Sequence, residues 1–202
     1  EVIVTAMTGQ KEYTDIGLLH LLCSTPDMPT LYVRRNDMYL LDRFLADHRK
    51  DLWVEIPWDA GEEFDRSLKT ALLLADWADE VGEDTICERY SVGPGDIYGM
   101  VESVAWLVHA SRHLAALFAP HLVRPIEEME LLIRLRGIGR ARARRLFNNN
   151  LGSIEALREA GPEKVGKILG QGIAARIFEQ LEGARDEVGE IGDEQSTLFR
   201  FG

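Results

Sequence analysis

The sequence predicts an all-α fold: a helical bundle, a small tandem helix-hairpin-helix domain and a flexible tail. Apolar residues recur at helical spacing through most of the 202 residues, rather than at the two-residue spacing of strands. Prolines and glycines fall between the periodic segments, where they end helices. A Gly-x-Gly turn between helical segments occurs twice, at Gly137–Gly139 and at Gly170–Gly172. These three observations together predict the fold class.

The helical bundle is predicted to span residues 1–119. Its helices lie where apolar periodicity is uninterrupted, and its breaks lie where prolines or glycines cluster. The longest helix follows the sequence Gly93-Pro94-Gly95-Asp96. The predicted helices are Glu1–Met7, Thr14–Leu22, Asp37–Lys50, Glu62–Val81, Asp84–Tyr90 and Ile97–Phe118.

A second domain is predicted over residues 125–188, after a link bracketed by Pro120 and Pro125. It contains both Gly-x-Gly turns and is therefore predicted to form a pair of hairpins. Residues 189–202 have no periodic pattern and are expected to form a mobile tail. The helices predicted in the second domain are Ile126–Leu135, Arg140–Asn148, Ile154–Glu159, Pro162–Leu169 and Ile173–Val188.

The composition is that of a cytoplasmic globular protein. Hydrophobic residues make up 46% of the chain, and no apolar run approaches the roughly 20 residues that cross a bilayer. No secretory signal is present, and Glu1 in place of Met indicates a fragment or a processed product. Cys23 and Cys87 are expected to be free thiols, since disulfides are rare in a reducing cytoplasm. No cysteine–histidine spacing indicates a metal site.

Positive charge is concentrated in one segment of an otherwise acidic chain. The formal net charge is −11, which by itself argues against nucleic acid as a partner. Between Leu131 and Ile154, however, no acidic residue occurs. Six arginines fall within this segment and predict a local surface for DNA phosphates. They are Arg134, Arg136, Arg140, Arg142, Arg144 and Arg145.

The first hairpin, Leu132–Phe147, is predicted to bind the DNA backbone. Its two glycines allow a sharp turn that approaches a phosphate closely, and the next helix points its N-terminal N–H groups at that phosphate. Such contacts do not depend on base sequence. The alternative is a glycine turn that serves packing, with solvated arginines. The predicted DNA-binding residues are Arg136, Gly137, Gly139, Arg140, Arg142, Arg144 and Arg145.

The second hairpin has fewer basic residues. Lys164, Lys167 and Arg176 lie near its turn. For this hairpin, phosphate binding and packing alone both remain open as interpretations.

The longest helix carries a tryptophan on its polar face. Helical spacing places Ile97, Val104 and Phe118 on a broad apolar face. Base stacking on an indole is worth roughly 1–3 kcal/mol and tolerates any sequence, which makes the tryptophan a candidate base-stacking residue. The alternative is that another helix covers this face. The candidate DNA-binding residues of this face are Tyr98, Trp106, His109 and His113.

Several motifs together resemble the archaeal superfamily-2 DNA repair helicases of the Holliday-junction-migration type, which are relatives of the polymerase theta helicase. The resemblance covers nearly the whole chain. The motifs that carry it include Lys69-Thr70-Ala71-Leu72-Leu73-Leu74, Ile86-Cys87-Glu88-Arg89-Tyr90, Gly93-Pro94-Gly95-Asp96-Ile97 and Arg136-Gly137-Ile138-Gly139-Arg140.

The resemblance implies an ATP-driven helicase that moves 3′ to 5′ on single-stranded DNA at forks. This sequence has no Gly-x-x-x-x-Gly-Lys-Ser/Thr loop, so ATP and magnesium are expected only in the motor of the parent protein, and this part is expected to have no catalysis or cofactor of its own. Trp106 is implied to stack on a base of single-stranded or forked DNA. Gly99 departs from the family, which often has a DNA-contacting arginine there. A monomer is expected.

The tail resembles a sliding-clamp-binding box at Gln195, Leu198 and Phe201. Its alternatives are a disordered tail or one packed on its own domain. Two other functions remain open for the chain. One is a protein-interaction module that recruits the clamp or repair partners, with the hairpins as scaffold. The other is a piece of a nuclease or glycosylase, although no paired carboxylates lie near the hairpin.

Overall fold

The computed structural model describes residues 2–9, 12–56 and 61–183, and within these ranges it contains α-helices and short 3-10 turns but no β-strand. The all-α prediction is confirmed. None of the helices described is long and apolar enough to cross a membrane. The helices are α1 (Val2–Gly9), α2 (Asp15–Cys23), α3 (Asp37–His48), α4 (Glu62–Ala78), α5 (Glu83–Tyr90), α6 (Pro94–Phe118), α7 (Val123–Arg134), α8 (Arg140–Phe147), α9 (Ile154–Leu169) and α10 (171–183).

The chain forms two compact units, Glu1–Arg134 and Leu135–Gly202. The division lies after α7, whereas the sequence analysis ends the bundle at Ala119 and begins the second domain at residue 125. Residues Pro120–Leu122 form only a short 3-10 turn, so the chain reverses there and α7 packs along α6. The buried apolar residues of α7 need α6 as their partner, and this helix therefore belongs to the first unit.

Helix α2 lies at the centre of the first unit and packs against α4. All residues from Gly17 to Cys23 are buried, as expected for a helix surrounded on every side. Gly17 is required because a Cβ there would lie 2.4 Å from the Trp53 ring. Cys23 and Cys87 are both free. Burial raises the pKa of the Cys23 thiol, which keeps it protonated and unreactive.

A buried ion pair ties helix α4 to the segment that precedes α3. Lys69 is 2% exposed. Its Nζ donates to Asp37 Oδ2 at 2.7 Å and to the Tyr32 carbonyl oxygen at 3.0 Å. The same carboxylate oxygen accepts the Arg34 N–H at 2.6 Å. Because buried charges are costly without partners, this network holds the backbone from Tyr32 to Asp37 in one conformation.

Helix α6 is 25 residues long and begins at Pro94, earlier than the predicted start at Ile97. Gly93 precedes it in an extended conformation, and its N–H donates to the Asp96 carboxylate at 2.9 Å. Proline suits the first helical position because its missing N–H would have no partner within the helix. The helix ends at Phe118, as predicted, but Phe118 is 52% exposed and does not join the core.

The second unit contains α8, α9 and α10. Helix α9 is kinked at Gly161, whose φ of 72° is not helical, so the two predicted segments on either side of this glycine are both helical. Helix α10 begins at residue 171. Gly172 therefore lies inside a helix, whereas Gly139 lies outside α8 as its N-cap. The two Gly-x-Gly sequences consequently form turns of different geometry.

Candidate nucleic-acid interface

Trp106 lies on the exposed face of α6. Its side chain is 62% exposed, whereas Trp53 and Trp77 are 7% and 3% exposed. The opposite face of α6 contributes Ile97, Val104 and other apolar residues to the core. The first unit therefore presents a large flat indole to solvent, on a helix whose apolar side is already buried. An exposed indole offers a π-face on which a base can stack.

Tyr98 is anchored next to the buried part of the bundle. It is 52% exposed, and its hydroxyl donates to Glu83 Oε2 at 2.5 Å. Its ring meets Trp77 edge-to-face with 5.7 Å between ring centroids. The Tyr98 hydroxyl therefore has a carboxylate partner within the first unit. A Cβ at the adjacent Gly99 would meet nothing within 4 Å, so this position is open.

His109 and His113 form a polar pair one turn apart on α6. The Nε2 atoms of the two rings are 3.3 Å apart, and His109 Nδ1 lies 2.9 Å from Glu130 Oε1. If a neutral His109 donates its Nδ1–H to Glu130, its Nε2 becomes the acceptor for the Nε2–H of His113. His113 is exposed and His109 half-buried. The pair thus connects a buried carboxylate with the surface that carries Trp106.

Glu130 lies between α6 and α7 and is 2% exposed. Besides His109, two guanidinium groups surround it: Arg134 Nε is 3.5 Å from its Oε1 and Arg112 Nε is 4.0 Å from its Oε2. Arg134 also donates to the Ala105 carbonyl oxygen at 3.4 Å. Arg134, part of the basic segment found in the sequence, is therefore engaged within the first unit.

The first hairpin turn follows α7. Gly137 has a φ of 85°, a conformation that costs other residues about 1–2 kcal/mol. The Ile138 N–H donates to the Leu135 carbonyl oxygen at 3.3 Å. Gly139 then adopts φ −75° and ψ 170°, and it has no side chain to cap the helix. The N-cap of α8 therefore supplies no side-chain acceptor to the first turn of this helix.

Three of the arginines predicted to bind DNA are partly engaged in the hairpin itself. Arg142 Nη1 donates to the Gly137 carbonyl oxygen at 2.9 Å and is half-buried. The backbone of Arg136 exchanges hydrogen bonds with the Gln180 side chain, at 2.8 Å and 3.1 Å. Arg140 is half-buried as well. The Arg142 contact stabilises the positive-φ turn and leaves less of this side chain for DNA.

Arg144 and Arg145 are exposed on α8. Within the described part of the chain, neither guanidinium group has a hydrogen bond or an ion pair. They are therefore the two arginines of the hairpin most available to phosphates. Lys164, Lys167 and Arg176, near the second turn, are also exposed.

Among the described residues, no group of three or more histidine, cysteine or carboxylate side chains could hold a metal ion.

The tail residues Gln195, Leu198 and Phe201 lie outside the described residues. The clamp-binding prediction therefore rests on the sequence.

Comparison with known families identifies the first unit. The model of the archaeal helicase, domain 4, matches residues 16–136. The chain belongs to the archaeal helicase domain 4 family. A second model, the SAM-like helix-hairpin-helix tandem, matches residues 129–182. The family resemblance drawn from the sequence motifs is confirmed, and so is the tandem hairpin domain that follows domain 4.

Two curated relatives of this domain 4 chain are archaeal. The ATP-dependent DNA helicase Hel308 of Methanocella arvoryzae is 33% identical, over 94% of this chain and 29% of its own length. The ATP-dependent DNA helicase Hel308 of Pyrococcus horikoshii is 31% identical, over 85% of this chain and 26% of its own length. The chain therefore spans less than a third of these relatives.

Sequence reasoning missed one buried residue beneath the candidate surface of α6, Glu130. The signal was present, because Glu130 lies between Ile126 and Ile133 in the apolar stripe of α7. A carboxylate in such a stripe is buried and needs partners. The partners, His109 and Arg112, come from a different helix and could not be assigned from the pattern of α7 alone.

Proposed function

We propose that this chain is the single-stranded-DNA-gripping region of an ATP-dependent 3′ to 5′ DNA helicase that acts in replication-fork repair and recombination. The observation that carries the proposal is the exposed indole of Trp106 on α6. Membership of the archaeal helicase domain 4 family and the hairpin tandem support it. We also propose that ATP and magnesium bind to a motor elsewhere in the parent protein, and that this region supplies the grip rather than the catalysis.

Trp106 is proposed to stack on a base of the strand. An indole that is 62% exposed costs about 25 cal/mol for each Å² of apolar surface left in water, and a stacked base would cover that surface. Stacking is indifferent to base identity, which suits a protein that must move along any sequence. His109 and His113 are proposed to border the same base or its phosphate with their polar ring atoms.

Arg144 and Arg145, in the last turn of α8, are proposed to hold phosphates. Both side chains are exposed, and neither guanidinium group has a partner among the described residues. Arg136, Arg140 and Arg142 add to the local positive potential, although Arg142 also closes the turn. The chain as a whole has a net charge of −11, and the acidic character outside the arginine segment would disfavour DNA at other faces.

Fluorescence anisotropy with a labelled single-stranded oligonucleotide tests the grip. The double variant Arg144→Ala/Arg145→Ala is expected to reduce the slope of log K against log salt by up to about 1.4, since each phosphate contact on single strands contributes about 0.7. The matched control Arg144→Lys/Arg145→Lys keeps both charges and should keep the slope. An unchanged slope in the alanine variant would remove the hairpin from the proposal.

The role of Trp106 is tested separately. Trp106→Ala is expected to weaken single-strand binding about fivefold or more, whereas Trp106→Phe, which retains a stacking ring, should lose less. In the full-length parent protein, Trp106→Ala should leave ATP hydrolysis active but poorly coupled to unwinding. Unwinding at the wild-type rate by that variant would refute the proposed grip.

A sliding clamp is a further proposed partner, through Gln195, Leu198 and Phe201. The sequence pattern alone supports it. Leu198→Ala should abolish co-elution with the clamp and leave DNA affinity unchanged. A different result would favour a recruitment module over a DNA-binding region. In that case neither the wild type nor any variant would bind DNA, and the chain would bind only the clamp, through a contact that Leu198→Ala removes.

A further inference from the structure

A second aromatic and basic surface lies on the first unit, in the segment that leads into α3. Two tyrosines are strongly exposed there: Tyr32 is 66% exposed and Tyr39 is 75% exposed. Three arginines in the same stretch are also exposed. We call this set the tyrosine–arginine surface. It consists of Tyr32, Arg34, Arg35, Tyr39 and Arg43.

The backbone before α3 directs Tyr32 and Arg34 away from the core. Burial alternates before α3, where Val33 packs on the core cluster of Leu41, Phe64 and Leu68 while its two neighbours, Tyr32 and Arg34, are exposed. In α3, Leu41 is fully buried, so the side of this helix that carries Leu41 faces the core.

The spacing within α3 completes the alignment. Asn36 already has helical torsion angles, so Arg35 precedes Tyr39 by about one turn. Arg43 follows Tyr39 by the same interval of four residues, which places neighbours about 5–6 Å apart on a helix. The order along this face is therefore arginine, tyrosine, arginine.

Buried polar contacts hold the surface in place. The Tyr32 carbonyl oxygen accepts from Lys69 Nζ at 3.0 Å, and the Leu31 N–H donates to Thr70 Oγ1 at 2.9 Å. The Asp37 carboxylate accepts from both Lys69 and the Arg34 N–H. These bonds fix the backbone under the exposed side chains, so that little conformational entropy is lost when a ligand binds.

The charge of the tyrosine–arginine surface is unusual for this chain. Among the residues that the structure describes, none forms a hydrogen bond or ion pair with the guanidinium groups of Arg34, Arg35 and Arg43. Two exposed carboxylates of α3, Asp42 and Asp47, flank the arginines. Asp42 follows Tyr39 by three residues, so its carboxylate borders the same exposed face of the helix.

We propose that the tyrosine–arginine surface binds single-stranded DNA, with Tyr32 and Tyr39 stacking on bases and the arginines contacting the flanking phosphates. Alternating aromatic and basic groups match the alternation of bases and phosphates along a single strand. Tyrosine and arginine are also enriched in protein–protein interfaces, so the experiments below are chosen to separate a protein partner from DNA. The inference rests on the proposed function, because it adds a contact to the strand that the chain is proposed to grip.

Affinity measurements on the 202-residue chain test the surface. With a fluorescein-labelled oligonucleotide, Tyr32→Ala/Tyr39→Ala is expected to weaken binding about thirtyfold, from the lower range of base–aromatic stacking for two bases. Tyr32→Phe/Tyr39→Phe, which keeps both rings, should bind nearly as the wild type does. Arg35→Ala/Arg43→Ala should lower the salt slope by about 1.4, and the matched lysine pair should not. Unchanged affinity in the tyrosine-to-alanine variant would overturn the proposal, whether or not another protein covers the surface.

Photocrosslinking identifies the contact directly. An oligonucleotide that carries 5-iodouracil is irradiated with the wild-type chain, and the modified peptides are mapped by mass spectrometry. Cross-links at Tyr32 or Tyr39 would support the proposal. Cross-links confined to Trp106 and α8 would overturn it while leaving the proposed function intact. Cross-links at Tyr32 without any at Trp106 would instead count against the proposed function.

Discussion

The buried His20 is expected to make the stability of the first unit depend on pH. Its ring is completely buried, and burial lowers its pKa from 6.5 to about 4. The Ser67 hydroxyl donates to the Phe64 carbonyl oxygen at 2.8 Å, so its oxygen accepts from His20 Nε2, 3.1 Å away. Nδ1 is then a bare acceptor without a hydrogen-bond partner. A proton added there would have to be buried without a partner.

The magnitude follows from the two pKa values. Because the folded pKa lies below the unfolded one, the unfolded chain binds the proton first as the pH falls. Stability is fully present above pH 6.5 and is lost as the pH falls from 6.5 toward 4. At 1.36 kcal/mol per pKa unit, the loss is about 2 kcal/mol at pH 5 and about 3 kcal/mol below pH 4.

Urea unfolding followed by tryptophan fluorescence measures this loss. Residues 135–202 contain no tryptophan, so the signal reports on the first unit. The free energy of unfolding is compared at pH 7.5 and pH 5 for the wild type and for His20→Gln, whose amide can donate to Ser67 but does not titrate. The wild type should lose about 2 kcal/mol more than the variant. Equal losses in the two proteins would refute the assignment of the effect to His20, because all other titrating groups are common to both.

Two further substitutions test other parts of the fold. Lys69→Met leaves the Asp37 carboxylate buried without its cation and should lower the free energy of unfolding by about 3–5 kcal/mol; a loss typical of a surface lysine, under about 0.5 kcal/mol, would contradict the buried pair. Gly137→Ala should destabilise the second unit by about 1–2 kcal/mol because φ is 85° there, and Gly139→Ala, at φ −75°, should cost less. Hydrogen exchange of the amides of α8 and α9 measures that difference, and equal protection in the two alanine variants would argue against the strained turn.

The local pattern of the sequence determined the helices and the position of Trp106. Helical periodicity specifies which residues of one helix share a face, and it correctly separated Ile97 and Val104 from Trp106. The sequence also located both Gly-x-Gly segments, because the two glycines of each segment lie close together in the chain. The roles predicted for these residues in DNA binding remain predictions, since they depend on a ligand.

Contacts between distant segments were decided only by the tertiary structure. Periodicity does not say how far a neighbouring helix extends, which is why Phe118 was expected in the core and is exposed. The same limit explains the division of the chain after α7. A short turn allows α7 to pack back on α6, so the two prolines mark a turn within the first unit rather than its end.

The chemistry of individual side chains was also set by partners far away in sequence. Glu130 orients His109 from another helix, and Lys69 fixes Tyr32 and Asp37 across the bundle. The sequence alone therefore determined which helices form and which faces are apolar. Packing alone decided which polar groups bind partners inside the protein, because burial removes water and every buried polar group then needs a partner. The groups that packing left exposed, such as Trp106 and the tyrosine–arginine surface, remain available to a ligand.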